Sequence, residues 1–174
     1  MPGDPALRAA LEGLCTTRSQ TAYEERWQAL QGGSHRVRVV GPINPRFTCF
    51  AYALRIERLP QYNELVNRFA HGALASSRFI VGMIERGHIR AAPTTALSAG
   101  RVVIYYNGER LTHAARIVSD DVLASKWSGN EVYQHALWEV PSSYGDHYQV
   151  VEVPPPDQTA TLLAAWVEEN PPGN

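Results

Sequence analysis

The sequence predicts an α+β fold in a single domain of 174 residues. Two observations carry this prediction. Helical periodicity dominates up to residue 86, whereas residues 101–153 form short β-type runs that turn residues separate. Helices and antiparallel strands that are segregated along a chain are typical of α+β domains. We therefore expect N-terminal helices, then an antiparallel β-meander, then a C-terminal helix.

The helical part begins at Asp4, a preferred N-cap residue that precedes a proline at the first helical position. Apolar residues then recur every three to four positions in residues 4–30, which predicts one long or two shorter amphipathic helices. Thr48 is a second candidate N-cap and predicts a helix over residues 47–54, after a loop with two prolines. Residues 62–86 predict a further helix, which a glycine ends.

The β-type runs predict six strands and a hairpin at Asn107-Gly108. The strands are residues 36–40, 101–106, 111–118, 122–127, 131–137 and 147–153. Prolines then stop the sheet, and Asp157 is the expected N-cap of a last helix that ends near residue 170. The single domain thus divides into an N-terminal helical segment, a core, and a C-terminal helix with its tail. These parts span residues 1–35, 36–153 and 154–174.

The composition excludes several functions. With 16 Lys and Arg, 17 Asp and Glu and no basic block, the chain lacks the charge pattern of a nucleic-acid-binding protein. Its histidines do not pair at i, i+4, and it has neither a Cys-x-x-Cys nor a phosphate-binding loop, so we expect no metal and no cofactor. It also lacks an apolar run of about 18 residues and a signal-peptide pattern. We expect no membrane partner and a protein that is cytoplasmic, or secreted without a signal peptide as an effector.

The two cysteines of the chain occupy different environments. Cys15 lies on the apolar stripe of the first helix, which indicates packing. Cys49 begins the helix after the proline-containing loop, a position that favours the thiolate. Among the six histidines, His113 is the best placed base because small residues follow it in a predicted strand. Spacing alone leaves a second interpretation open, in which Cys49 and His113 are both buried packing residues.

Several segments carry a resemblance to a known superfamily, and they cover roughly residues 42–153. They are NPRFTCFAYAL (44–54), THAARIV (112–118), SKWSG (125–129), His135-Ala136-Leu137, Val140-Pro141 and Tyr144-Gly145. This set resembles an uncharacterised bacterial subgroup of the NlpC/P60-like cysteine hydrolases, which have a papain-like fold. The chain departs from the pattern at Thr48, where the subgroup has Asn, and at Gly100-Arg101, where NlpC/P60 proteins have Gly-Asp. Ser128 is an insertion.

The resemblance implies a papain-like NlpC/P60-type fold and a role for each matching residue. Cys49 is the nucleophile, and His113 activates it and later protonates the leaving group. Ser125 or His135 orients the imidazole. A three-residue turn between the two strands puts Ser125 on the face of His113, whereas a two-residue turn favours Lys126. The residues that bind substrate or complete the oxyanion site are Asn44, Lys126, Trp127 and Tyr144.

The activity implied by the resemblance is hydrolysis of an amide bond through a thioester acyl-enzyme. The substrate is a peptide or protein, with peptidoglycan as one open choice, and the enzyme is a thiol peptidase, amidase or deamidase. Two alternatives stay open: an acyl or amine transferase on the same dyad, and an inactive papain-fold interaction domain. Lys126 and Trp127 also have purely structural interpretations, as a solvated strand residue and a core residue. A toxin or effector role would add an immunity or regulatory protein as partner.

Overall fold

The computed structural model describes residues 3–17, 19–69, 74–93, 97–128 and 131–171. The described residues form an α+β structure in which helices cover both faces of one seven-stranded antiparallel sheet. Gly129, which belongs to the resemblance, and residues 172–174 of the tail lie outside these ranges. None of the described helices combines the length and the apolar character that crossing a membrane requires.

The helices follow the local signals in most places. They are α1 (Pro5–Thr16), α2 (Gln20–Gln31), α3 (Cys49–Ala53), α4 (Pro60–Phe69), α5 (Ser77–Glu85) and α6 (Pro156–Glu169). The side chain of Asp4 accepts from the N–H groups of Ala6 and Leu7 and so caps α1, as predicted. Thr48 caps α3 in the same way, with its hydroxyl accepting from the Ala51 N–H at 3.2 Å.

Two helix predictions are wrong. The continuous helix over 62–86 is interrupted, because Leu74 to Ser76 are not helical and the Ser76 side chain starts α5 as its N-cap. The last helix begins at Pro156, so Asp157 lies in its first turn and does not cap it. Pro156, the last of three prolines before Asp157, explains this shift, since a proline is well suited to the first helical position.

The sheet is not the simple meander that the sequence predicts. Its strands are β1 (Arg38–Gly41), β2 (Arg90–Ala91), β3 (Val102–Asn107), β4 (Arg110–Ser119), β5 (Val122–Lys126), β6 (Val132–His135) and β7 (His147–Glu152). Their order is β1-β6-β5-β4-β3-β7-β2. The run from β3 to β6 is a meander, but β7 returns across the sheet to pair with β3. The short strand β2 had no sequence signal.

A bulge sets the register between β4 and β5. Asp120 and Asp121 form a two-residue turn between the paired residues Ser119 and Val122. On that turn alone the sequence predicted Lys126 on the face of His113. A register shift between Ile117 and Ser119 adds one residue to β4 and reverses this outcome. Ser125 therefore shares the face of His113, and Lys126 points to the other face.

Each face of the sheet has its own apolar cluster. On one face, helices α3 to α6 pack against residues such as Ile104, Ala114 and Val151. On the other face, Leu11 and Leu14 of α1 pack against Val103, Ala115 and neighbouring residues. Ala114 and Ala115 thus mark opposite faces of β4, as the two-residue period of a strand requires. This division decides which of the predicted site residues can meet.

Candidate functional site

Cys49 is the first residue of α3, and its position depends on the cap before it. The hydroxyl of Thr48 accepts from the Ala51 N–H and donates to the carbonyl of Ala75 at 2.6 Å. These bonds fix the start of α3 against the segment that precedes α5. The Cys49 side chain packs on the cluster that contains Ala114, and so it lies on the α3 face of the sheet.

The Cys49 thiol is held in its protonated form. Burial raises its pKa to about 11, because a thiolate is poorly solvated there. The backbone N–H groups of Ala114 and Phe50 and the charge of Lys126 act in the opposite direction, since each stabilises the thiolate. Ala114 directly follows His113, so the sulfur approaches β4 beside the predicted base. At neutral pH the thiol is nevertheless protonated in this structure.

His113 is buried, with 1% of its surface exposed. Its ring stacks on Tyr144 with centroids 3.9 Å apart, and the ring of Tyr105 lies 5.7 Å away. Burial lowers the pKa of His113 well below its usual value, and the neighbouring His135 lowers it further. The Nε2 atom is buried without a hydrogen-bond partner. His113 is therefore a neutral imidazole with one unused nitrogen.

Cys49 of α3 and His113 of β4 both lie at strand β4, but on opposite faces of the sheet. The imidazole packs with Tyr105 on the α1 face, whereas the thiol lies on the α3 face, beside Ala114. No hydrogen bond joins the two side chains in the part of the chain that the structure describes. The pairs between β4 and β5 run only as far as Arg116 and Ala124. Beyond that point, from Ala115 to His113, β4 is not paired with β5.

Ser125 and His135 form a buried chain of hydrogen bonds that does not include His113. Nδ1 of His135 lies 2.8 Å from the carbonyl of Ala136, so Nδ1 carries the proton. Nε2 must then accept from the Ser125 hydroxyl, at 2.8 Å, and the Ser125 oxygen accepts from the Trp127 indole at 2.9 Å. Burial lowers the pKa of His135 to about 4, so this chain is neutral. The resemblance implies that Ser125 or His135 orients His113. In the structure, Ser125 and His135 are instead hydrogen-bonded to each other.

Lys126 lies on the Cys49 side of the sheet and is only 2% exposed. Its ammonium donates to the carbonyl of Ser128 at 2.7 Å and lies 5.7 Å from the centre of the Phe47 ring. Burial lowers the pKa of Lys126, while Cys49 and Glu131 raise it. The interpretation of Lys126 as a solvated strand residue is wrong. Its positive charge lowers the pKa of the Cys49 thiol.

Tyr144 packs on the α1 face of the sheet, against His113. Its ring covers His113, and its hydroxyl is 3.9 Å from the sulfur of Cys15. Burial raises the pKa of Tyr144 well above its usual value, and both cysteines act on it electrostatically in the same direction. Cys15 packs in the α1-face cluster, and burial raises the pKa of its thiol to about 12.

Arg8 of α1 holds the segment that carries Tyr144. Its buried guanidinium donates to the carbonyls of Val140, Pro141 and Ser142 at 3.2–3.4 Å, and to that of Gly145 at 2.5 Å. The sequence analysis missed this residue. A signal was present, because Arg8 lies three residues before Leu11 and therefore on the apolar stripe of α1. A cation at such a position needs buried acceptors.

The side chain of Asn44 is hydrogen-bonded within its own loop. Its side-chain oxygen accepts from the Arg46 N–H at 2.9 Å, and no hydrogen bond joins it to Cys49 in the described structure. Asn44 lines a groove of about 350 Å³ together with Phe47, Tyr52 and Arg116. The groove residues Tyr52, Glu57 and Arg116 had no local sequence signal, since they meet only through the packing of α3 on β4. Among the described residues, no cluster of His, Cys, Asp and Glu could hold a metal ion.

The fold and the site define an α+β protein with a half-buried thiol and a buried neutral imidazole on opposite sides of one strand. The sequence profile of a family described as a domain of unknown function (DUF7689) matches residues 38–152. The chain belongs to that family. The matched segment contains α3 to α5 and all seven strands, and it leaves α1, α2 and α6 outside. Searches of curated proteins and of solved structures gave no significant match.

Proposed function

We propose that the protein is a cysteine-dependent hydrolase that cleaves an amide bond and has a papain-like NlpC/P60-type fold. One observation carries the proposal. Cys49 begins a helix that packs on β4, its sulfur lies beside the N–H of Ala114, and the preceding residue His113 is buried with an unused Nε2. A buried imidazole nitrogen without a partner is unusual in a purely structural role. The motifs around Cys49 and His113 add support through their resemblance to cysteine hydrolases.

The chemistry needs one base and one nucleophile. Nε2 of His113 takes the proton of the Cys49 thiol, and the thiolate attacks the carbonyl carbon of the amide. The tetrahedral intermediate collapses as the imidazolium gives its proton to the departing amine, which leaves a thioester on Cys49. Water, deprotonated by the same imidazole, then attacks the thioester and releases the acid and the thiol. Lys126 and the Ala114 N–H stabilise the thiolate during both steps.

The described arrangement corresponds to a resting form of such an enzyme. The thiol is protonated and the imidazole lies on the α1 face under the ring of Tyr144, so the reaction requires the imidazole to turn towards the thiol past the unpaired part of β4 and β5. Movement of Tyr144 and of the segment that Arg8 holds is the change that would allow this turn. The N-terminal helix α1, which lies outside the family match, therefore controls access to the base in this proposal.

The roles of the remaining candidates follow from their positions. Lys126 assists the thiolate, and Tyr144 covers the base. Trp127, Ser125 and His135 support the sheet beneath the site as one satisfied hydrogen-bonded chain. Asn44 belongs to the groove beside α3 and contributes to substrate binding there. The substrate is a peptide or protein, which the enzyme would meet in the cytoplasm or after export.

The test is a search for amide hydrolysis and for a covalent intermediate. Purified protein is incubated with a mixture of short peptides, and products and protein are both measured by mass spectrometry. We expect new peptide termini and an acyl adduct on Cys49. The Cys49→Ala variant should lose both, whereas Cys15→Ala, which removes the other thiol, should keep them. Hydrolysis that survives in Cys49→Ala would show that this thiol is not the nucleophile.

A second candidate function, a non-catalytic interaction domain, is favoured by the state of the Cys49 thiol. The pKa of Cys49 lies near 11, and no hydrogen bond joins its thiol to His113. Both features suit a papain-fold interaction domain without catalysis, in which Cys49 is a packing residue. The two candidates differ in one measurable property. A catalytic thiol forms an adduct with an acylating substrate at neutral pH, and a packing thiol does not.

A further inference from the structure

The groove beside α3 is lined by one aromatic wall, one charged wall and one apolar rim. Its volume is about 350 Å³, which is enough for one or two side chains of a peptide. It lies on the Cys49 side of the sheet, between α3 and the strands β1, β4, β5 and β6. The lining residues with polar or aromatic groups are Asn44, Phe47, Tyr52, Glu57, Arg58, Arg116 and Gln134.

The charged wall is dominated by guanidinium groups. Arg58 and Arg116 line the groove directly. Two further arginines act on the lining residues: Arg38 donates to the side chain of Gln134, and Arg55 acts electrostatically on Glu57. Glu57 is the single acidic residue in the lining. The positive excess favours an anionic ligand.

Arg116 is held in a fixed position. Its guanidinium lies over the Tyr52 ring, 4.1 Å from the ring centre, and donates to the Tyr52 hydroxyl at 2.5 Å. A guanidinium fixed in this way has lost its side-chain entropy before binding. Its remaining N–H donors suit the planar geometry of a carboxylate. Arg116 can therefore bind an acidic side chain at a lower entropic cost than a mobile surface arginine.

Glu57 offers an acceptor for a different part of the ligand. Its Oε2 atom is buried and has no hydrogen-bond partner. Burial raises the pKa of Glu57, while Arg116, Arg58 and Arg55 lower it, although none of them forms an ion pair with the carboxylate in the described structure. An N–H from a peptide backbone would satisfy this oxygen without adding charge.

The rim of the groove is apolar and exposed. Val40 and Val118 line it and are 45% and 41% exposed. Val39 and Ile43, which are also exposed large apolar residues, belong to the same edge strand and the loop after it. Three of the five exposed large apolar residues of the described structure thus lie on the edge strand β1 or the loop after it, and a fourth, Val118, lines the groove from β4. Such a concentration marks a binding surface.

We propose that this groove binds a peptide with an acidic side chain next to an apolar residue. The side-chain carboxylate pairs with Arg116 and Arg58, a backbone N–H donates to Glu57, and the apolar neighbour packs on Val40 and Val118. Phe47 links the groove to the thiol, because its ring stacks on Tyr52 and lies under the Lys126 ammonium. That this peptide is also the substrate of Cys49 rests on the proposed function, whereas its binding does not.

Binding is tested on the full-length Cys49→Ala protein, which lacks the proposed nucleophile. Calorimetric titrations use three capped tripeptides, acetyl-Val-Glu-Val-amide and its analogues with Gln and Lys at the centre, at low ionic strength. We expect the Glu peptide to bind at least about five-fold tighter than the Gln peptide, and the Lys peptide to bind weakest. Arg58→Gln should remove most of this preference. Arg90→Gln, which removes the same charge at β2 on the opposite edge of the sheet, should leave it unchanged.

Three results would overturn the proposal. They are tighter binding of the Lys peptide than of the Glu peptide, an unchanged preference in Arg58→Gln, and no binding of any of the three peptides. Glu57→Gln adds a further check, because an amide oxygen still accepts the N–H and the preference for the Glu peptide must persist. Binding of the Glu peptide without cleavage by the unmodified protein would leave this inference standing and count against the hydrolase.

Discussion

The Ser125 hydroxyl lies 2.8 Å from Nε2 of His135, on the same sheet face as His113 but without a hydrogen bond to it. Because Nδ1 of His135 is bonded to a carbonyl, the ring can only accept from Ser125, and the Trp127 indole completes the chain. Every polar atom in this buried series has a partner. The chain therefore stabilises the strands beneath the candidate site, and its loss should be measurable in the free energy of unfolding.

Ser125→Ala should destabilise the protein by about 1–3 kcal/mol, because it leaves the Trp127 N–H and Nε2 of His135 buried without partners. Chemical denaturation followed by tryptophan fluorescence measures this change. The matched control is Ser34→Ala, since Ser34 is exposed. Equal stability of the two variants would mean that the Ser125 bonds contribute nothing.

His135 should make the protein less stable in mild acid. Its pKa is about 4 when folded and about 6.5 when unfolded, so between these values the unfolded chain binds a proton that the folded chain does not. The free energy of unfolding therefore falls as the pH drops from about 6.5 to 4, by up to about 3 kcal/mol for this residue. His113, whose pKa is also lowered, adds to the loss in the same direction.

The measurement is the free energy of unfolding at a series of pH values, compared with His135→Gln. The variant should show a shallower pH dependence over this window. The exposed His88, replaced by Gln, serves as the control and should keep the slope of the unmodified protein. A slope that His135→Gln leaves unchanged would assign the acid sensitivity to other groups.

Local signals in the sequence predicted most of the fold. The caps at Asp4 and Thr48 depend on bonds within three residues, so their helices could be predicted from spacing. The hairpin of β3 and β4 also formed, with Gly108 at a positive φ of 56° in its turn. By contrast, β7 pairs with β3 after a connection that crosses the sheet, and β2 pairs with β7. Such pairings depend on tertiary packing, which no short window of sequence contains.

In the candidate site, too, local features could be predicted from the sequence and tertiary contacts could not. The sequence predicted that Cys49 would start a helix, and it does. It could not predict the face on which each partner lies, since the bulge before Ser119 has no sequence signal and decides whether Ser125 or Lys126 faces His113. The contact of Tyr52 with Arg116 spans 64 residues and appeared only in the structure. The sequence could therefore indicate candidate residues for the site, but not which of them lie next to each other.

Gly145→Ala should disrupt the segment that holds Tyr144. Gly145 has φ of 145°, and a Cβ atom there would lie 2.3 Å from the carbonyl oxygen of Tyr106. Both the backbone conformation and the space exclude a side chain, so we expect a loss of at least about 2 kcal/mol in the free energy of unfolding. Gly32→Ala is the control, because a Cβ at Gly32 meets no atom within 4 Å. A Gly145→Ala protein as stable as this control would contradict the described path of the segment.

The reactivity of the two thiols should rise steeply with pH. The pKa values of about 11 for Cys49 and about 12 for Cys15 leave only a small thiolate fraction at neutral pH. Labelling with iodoacetamide, followed by mass spectrometry, should be at least about ten-fold slower for Cys49 at pH 7.5 than for a free model thiol. The rate should increase nearly ten-fold per pH unit up to pH ~9.5, because only the thiolate reacts.

Cys15→Ala and Cys49→Ala assign the label, and they should show Cys15 as the slower thiol at every pH. Addition of the peptide acetyl-Val-Glu-Val-amide distinguishes a resting enzyme from a packing residue. If binding in the groove moves Tyr144 and brings His113 to the thiol, labelling of Cys49 becomes faster and loses its steep pH dependence, while Cys15 does not change. Rapid, pH-independent labelling of Cys49 without peptide would instead mean that a thiolate–imidazolium pair already exists in solution, and that the protonated, half-buried thiol described here is not its dominant form.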